Sequence, residues 1–325
     1  MKDFQIGEII ALLSRTSAFL AFRFLIYLGI TLVYVIGTGV GAGTGYVVGS
    51  IGDNAAGFSA WGGLIGFGIV GAVVYMLREY LLYLVKAGHI AVLVELMQGR
   101  EVPGGRSQIA HAQAIVRERF AEASALFAVD QLIKGVVNAF NRVFFTVASL
   151  LPIPGSGGLV KFLNSVLRLS LTYLDEVILG YNIRTQSDNP WASSRTALIL
   201  YAQNYKVFLK NAFWLAFFVW GLTFLVFLLA LAPAAGLVAV FPGSAGPVTL
   251  AVAVVFAWAI KQAVIEPFGM VALMQVFDRV TEGQQADPEW EAKLDEVSDK
   301  FRELKDRAAS AAAPTRREAE PAQAD

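Results

Sequence analysis

The stretch NAFWLAFFVWGLTFLVFLLALAPAAGLVAVFPGSAGPVTLAVAVVFAWAI, Asn211 to Ile260, runs fifty residues without an Asp, Glu, Lys or Arg. Only Pro233, Pro242 and Pro247 punctuate it. A hydrocarbon core about 30 Å thick takes roughly 20 apolar helical residues to cross. The run therefore predicts two crossings joined by a short turn, and it makes the chain a multi-pass membrane protein. Its solvent partner is the lipid bilayer.

Composition agrees outward from this point. The hydrophobic fraction is 56%, the mean hydropathy +0.57, and charged residues make up only 16%, values far from those of a soluble domain. Formal net charge is zero, which gives no electrostatic basis for a nucleic-acid partner. Cysteine is absent, which removes disulfides, Cys-zinc sites, iron–sulfur clusters and thiol nucleophiles. With His89 and His111 as the two histidines, no metal site or cofactor is expected. Nor is an enzyme: the chain has no HExxH, GxSxG or Walker A pattern, and the adjacent Asp175 and Glu176 diverge on a helix. Arg15 and Arg23 interrupt the first apolar stretch, so it reads as an amphipathic helix over 4–22 rather than a cleaved signal.

The expected fold class is an all-α polytopic helical bundle with cytoplasmic amphipathic helices. It has either six spans, or four plus an interfacial or re-entrant hairpin. Residues 1–83 form the amphipathic helix and a Gly-rich two-span hairpin, with crossings near Phe24–Val48 and Trp61–Tyr83. Residues 84–130 form cytoplasmic helices broken at Pro103-Gly-Gly105. Residues 131–182 make an amphipathic hairpin turning at Leu151-Pro-Ile-Pro-Gly-Ser-Gly-Gly158. Residues 183–280 form a two-span hairpin, entered at the N-cap Asn189-Pro190 and crossing from about Asn211 until Pro233 stops it. A second crossing follows over Val248–Phe277. Residues 281–309 form a cytoplasmic helix starting at Asp287-Pro288, with a seam of Trp290, Leu294, Val297, Phe301 and Leu304 expected to dock on the protein's own cytoplasmic helices. The Ala/Pro/Glu-rich 310–325 reads as a disordered tail.

Charge orients the chain. Ser50–Ala60, Leu151–Gly158 and Pro233–Gly246 hold no Lys or Arg. The complementary segments hold Arg78, Lys86, Arg100, Arg106, Arg117 and Arg119, then Arg184, Arg195, Lys206 and Lys210. Basic residues stay inside, so the expected location is the cell (inner) membrane with both termini cytoplasmic. Either span count is even and gives the same answer.

Four features suggest use. Gly37, Gly41, Gly45 and Gly49 recur every four residues, the spacing that lets helices approach closely in lipid. Packing on the second span, a homo-oligomer contact, and a glycine-lined path are the three readings. In the hairpin, Lys161, Asn164, Arg168, Thr172 and Asp175 share a helical face, which lines either a polar cavity or an interfacial surface. In the last span, Lys261-Gln-Ala-Val-Ile-Glu266-Pro267 places an acid beside a proline that removes an amide and should kink the helix. Glu266 is then either a cation site or a lysine-paired marker of the membrane boundary. Trp214 and Trp258 lie among many aromatics, which either cage an organic ammonium or pack as ordinary span residues.

Tyr201-Ala-Gln-Asn-Tyr-Lys-Val-Phe-Leu-Lys-Asn-Ala-Phe213 resembles a segment of choline transporter-like proteins, with Asn204, Tyr205, Lys210, Ala212 and Phe213 in the matching places. Glu266-Pro-Phe-Gly-Met270 through Gln275-Val-Phe-Asp278 is similar to that family's final span and acidic exit. The likeness covers roughly residues 190–280, and the family's large extracellular loop and cysteines have no counterpart. It implies uptake of a small organic cation. No substrate-binding residue is carried over from the resemblance. The leading expectation from the residues themselves is a transporter or channel-like protein with a polar pathway among the last four helices. In it Asp175, Glu176 and Glu266 face the cation, Arg168, Trp214 and Trp258 are path candidates, and Pro267 is the hinge. The competing expectation is a non-transporting scaffold or assembly protein that binds a membrane-protein partner.

Overall fold

A computed structural model describes residues 2–119, 128–139, 165–166, 168–240, 254 and 257–312. Among these residues the chain is helical and contains no strand. The helices are α1 (Ile6–Arg15), α2 (Ser17–Gly49), α3 (Ala55–Met97), α4 (Arg106–Arg119), α5 (Leu174–Thr185), α6 (Pro190–Gln203) and α7 (Tyr205–Val240). A π-helical turn, Lys261–Ile265, leads into α8 (Glu266–Thr281), followed by α9 (Pro288–Val297) and α10 (Asp299–Ala312). Residues 128–139 are also helical. Four helical stretches are long and apolar enough to cross a membrane: Ser17–Gly49, Ala55–Tyr75, Tyr205–Ala232 and Ala257–Thr281. The expected turn at Leu151–Gly158, and Lys161 and Asn164 of the expected polar face, lie outside the described residues.

The chain divides into two compact units. One comprises Met1–Glu118 with Lys210–Val276, the other Arg119–Leu209 with Phe277–Asp325.

In the first unit, α2 and α3 form an antiparallel hairpin 33 and 43 residues long. At 1.5 Å per residue these are rods of about 50 and 65 Å. The turn is only Ser50–Asn54, closed by the Asn54 side chain accepting from Gly57 N at 3.2 Å and by Asp53 at φ 56°. The glycine stripe explains the closeness of the two rods. A Cβ built on Gly41 would fall inside contact of the Gly62 carbonyl, one on Gly45 into the Phe58 carbonyl, and one on Gly66 into the Gly37 carbonyl. A Cβ on Gly49 would sit 2.7 Å from the Asn54 carbonyl. Gly39 and Gly43, on the other faces, have nothing within 4 Å. Of the three readings of the stripe, packing on the second span accounts for these contacts. Outward side chains such as Leu25, Ile36, Val47, Ile65 and Ile69 are apolar and exposed, the surface a membrane-spanning hairpin offers to lipid.

Several boundaries differ from expectation. α3 does not end near Tyr83 but runs on to Met97. The helix ends where the chain turns at Gly99, φ 74°. The expected helix over 4–22 is broken at Thr16, whose hydroxyl back-bonds to Leu12 O at 3.1 Å. Pro233 does not stop α7, which continues to Val240. A proline inside a membrane helix costs one backbone bond that the surroundings can re-satisfy. Asn189-Pro190 does start a helix, with Asn189 Oδ1 accepting from Ala192 N at 3.1 Å. That helix ends at Gln203, and α7 begins separately at Tyr205.

The N-terminus is strapped into the first unit. Asp3 N donates to Asn211 Oδ1 at 2.7 Å, and Asn211 Nδ2 donates back to Asp3 Oδ2 at 2.7 Å. Lys210 pairs with the same carboxylate at 2.6 Å. Gln5 N donates to Gln275 Oε1 at 3.1 Å. Between these polar ties Phe4 is buried, edge-on to Phe218 at 6.1 Å.

Beside α1, the start of α2, the end of α3 and α4 share a small core of Phe19, Val92, Leu96 and Ala112. His89 is fully buried in it, stacked on Phe19 at 5.0 Å. Its Nε2 lies 3.0 Å from Thr16 Oγ1. That hydroxyl spends its hydrogen on Leu12 O, so Nε2 must donate and Nδ1 is left as a bare acceptor, for which no partner exists among the described residues. Burial first, and the Arg23 charge second, hold the His89 imidazole well below its usual range. A depressed histidine stays neutral in the folded protein while the unfolded chain protonates below about pH 6.5. Folding stability is therefore expected to be flat above that pH and to fall as pH drops below it, by at most about 1.4 kcal/mol per pH unit. Thermal unfolding in detergent across pH 5–8 should show this slope, and His89→Phe should remove it.

In the second unit the terminal seam docks on α6. The Asp287 side chain caps α9 by accepting from Glu289 N at 2.8 Å. The helix then breaks at Ser298, so the seam is carried by two helices rather than the one expected. Leu294, Phe301 and Leu304 are buried, whereas Val297 is exposed. Arg195 of α6 pairs with Glu291, and Lys305 pairs with Glu291 at 3.2 Å and Asp295 at 2.7 Å. Arg307 lies 5.1 Å over the Trp191 ring. α10 runs to Ala312, past the expected start of the tail, and 313–325 lie outside the described residues.

Candidate functional site

The most chemically unusual place in the four candidate spans is the π turn. Glu266 N donates to the carbonyl of Lys261, five residues back. The reason is Pro267. In an α-helix its ring would collide with the carbonyl of Ala263, four residues behind. One extra residue in the turn moves that carbonyl aside, and the expected disturbance at this proline takes the form of a π-bulge.

The wider turn has its own cost. The next π bond would run from residue 267 to the carbonyl of Gln262, and proline has no hydrogen to give. The Arg23 guanidinium, from α2, takes that place: Nη2 donates to Gln262 O at 3.1 Å. Arg23 is 3% exposed and lies within the first candidate span. From Thr16, the residue that caps this helix, Phe19, Arg23 and Tyr27 follow at spacings of three and four, and all four are buried. Tyr27 meets Trp258 edge-on at 5.3 Å, one turn before Gln262. Arg23 was legible only as an interruption of an apolar stretch. The usable signal was its place on that short buried face.

Glu266 is ion-paired with Lys261, and both side chains are mostly shielded, at 17% and 28% exposure. The acid is thus held by a lysine from the same turn, and the pair sits within the last candidate span. Charged side chains within a span are costly, so the meeting of Arg23, Lys261 and Glu266 within two candidate spans marks this bulge out.

The other expected site residues fall elsewhere. Trp214 is 43% exposed and packs edge-on against Phe213 at 6.0 Å, an outward placement. It and Trp258 make no recorded contact with each other, so no aromatic cage forms from that pair among the described residues. Asp175, Glu176 and Arg168 belong to the second unit and Glu266 to the first. Glu176 is buried, Asp175 half-buried and Arg168 exposed. Near them is a buried polar cluster: Asn182 Nδ2 donates to Ser194 Oγ at 2.7 Å, and Ser193 Oγ donates to Asn182 Oδ1. Tyr201 donates to Ser170 O at 2.8 Å, and its burial raises the phenol's pKa. This cluster fastens α5 to α6. Among the described residues no three His, Asp or Glu side chains converge as a metal-ligand set.

Comparison of the chain with protein families, curated proteins and solved structures finds no match.

Proposed function

We propose that this multi-pass membrane protein is a transporter or channel-like protein for a small organic cation, working at the charged π-bulge of its last candidate span. The carrying observation is the Lys261–Glu266 pair beside Pro267. Intramembrane ionisable groups are costly and are typically kept for moving or sensing charge. Bulged, proline-broken helices offer carbonyls and acids to cations. On this reading the Lys261 ammonium occupies the position a substrate ammonium takes on Glu266, and substrate entry displaces it. The chain sits in the inner membrane with both termini cytoplasmic. Support comes from the first unit, where the strapped N-terminus meets the basic end of α7, while the Ser50–Asn54 turn carries no basic residue. Residues 131–182 then supply either two further spans or an interfacial hairpin, and the 84–130 and 281–309 helices lie in the cytosol.

The test is flux of labelled choline in proteoliposomes made from the purified protein. Wild type should exceed protein-free liposomes, and Glu266→Gln should remove at least about nine-tenths of that flux, since it deletes the group that receives the cation. No flux under any imposed gradient would count decisively against transport.

The second reading is a scaffold or assembly protein without transport. It is favoured by the outward faces of α2 and α3, which are largely apolar and exposed among the described residues. Recovery of a stoichiometric membrane partner, together with inert proteoliposomes, would select it.

A further inference from the structure

Arg23 and Pro267 are 244 positions apart in sequence, yet each explains the other. A π turn ahead of a proline leaves one carbonyl, that of Gln262, without its in-helix donor. A basic residue in a first span has no obvious reason to be buried at 3% exposure. The 3.1 Å bond between Arg23 Nη2 and Gln262 O answers both. The contact is also placed where it can transmit a movement. It joins α2, which is packed along its outer half on α3 by bare backbone, to the turn that sets the direction of α8. One helical turn along, the Tyr27–Trp258 contact repeats the same junction.

We infer that Arg23 is a latch, supplying the hydrogen-bond donor that Pro267 withholds and so making the π-bulge conditional on the position of α2. With Arg23 seated, the bulge is held open and Gln262 is satisfied. With Arg23 withdrawn, the bulge is left with an orphan carbonyl in an apolar setting, and the segment 257–265 loses its fixed register on α8. Arg23 is thus a positioning residue for the Glu266 site rather than a group that receives a ligand. The latch stands whether or not the protein transports a cation, because it concerns the packing of α2 on the π turn that leads into α8.

The experiment is a double-mutant cycle in detergent-solubilised full-length protein, read by thermal midpoint and by hydrogen exchange of peptides covering 257–272. Arg23→Leu should lower the midpoint and speed exchange there on the order of ten-fold or more, the factor for losing a hydrogen bond to a charged group. Pro267→Ala returns an amide, so in that background Arg23→Leu should cost less than half as much. Arg23→Lys, which keeps one donor, should fall between wild type and Arg23→Leu, and it replaces Arg23→Leu in the cycle if the latter does not fold. Equal losses with and without Pro267 would overturn the latch and leave Arg23 as ordinary packing.

Discussion

Gly41→Leu is expected to break the α2–α3 hairpin, lowering stability by about 3 kcal/mol or more, the upper end of the overpacking range. A side chain there has nowhere to go. The first carbon already meets the Gly62 carbonyl, and Gly62 would meet the Gly41 carbonyl in return. The obstruction is backbone on both sides, so no rotamer relieves it, and the helices must separate along their whole zipped length. Gly62→Leu should behave the same way. Gly39→Leu and Gly43→Leu carry the same change in size, hydrophobicity and helix propensity on the same helix, with nothing within 4 Å. They should stay within about 0.5 kcal/mol of wild type. Thermal unfolding of the four variants in one detergent separates packing from composition. If all four lose stability alike, the glycines matter for the backbone of α2 and not for its approach to α3.

Phe4→Ala should cost about 3–5 kcal/mol, the range for removing a fully buried aromatic ring. This is large for a residue so near a chain end, where termini commonly fray. The reason is the strap. Asp3 and Gln5 tie the backbone on either side of Phe4 to Asn211 and Gln275, so the ring cannot swing aside to let its neighbours close the gap. Ile10→Ala, on the exposed side of α1, is the matched control and should change little. Proteolytic nicking before residue 10 in Phe4→Ala, but not in wild type, would give an independent reading of the same release. A Phe4→Ala protein as stable as wild type would mean that the strap is decoration on a unit already complete without it.

Much of this architecture was readable because bilayer and backbone rules act locally. The charge-free run Asn211–Ile260 points to α7 and the approach to α8 by length alone. The four-residue recurrence of Gly37, Gly41, Gly45 and Gly49 marks a face for close approach, but which of its three readings applies needs the contacts with Gly62, Phe58 and Gly66 on α3. Asn189-Pro190 and Asp287-Pro288 are helix starts that need no tertiary help. The differences lie at helix ends, where composition marks the limit of an apolar stretch and not the end of the backbone helix. Composition ends the second crossing near Tyr83, yet the backbone of α3 runs on to Met97. Pro233 closes the expected crossing, yet α7 continues to Val240.

The candidate site was half legible for a different reason. Lys261, Glu266 and Pro267 are neighbours, so their meeting is a matter of helical spacing, and the lysine-paired acid was one of the two expected readings. Arg23 was invisible as a member, because its partner is a backbone carbonyl 239 residues away. That carbonyl needs a partner only after the proline has forced a π turn. No local pattern encodes a debt created in one helix and settled by another. Conversely Trp214, singled out for its chemistry, faces outward. Aromatic side chains in a span are too common for residue type alone to say which way they point.

The account depends on α2 and α3 being a membrane hairpin whose turn emerges opposite the termini. Because the chain has no cysteine, single introduced thiols report this without background. Asp53→Cys in the turn and Ser310→Cys near the end of α10 can each be exposed in intact cells to a membrane-impermeant maleimide, then again after permeabilisation. The account predicts that Asp53→Cys is labelled at once and Ser310→Cys only after the membrane is opened. Labelling of both from the same side would contradict it.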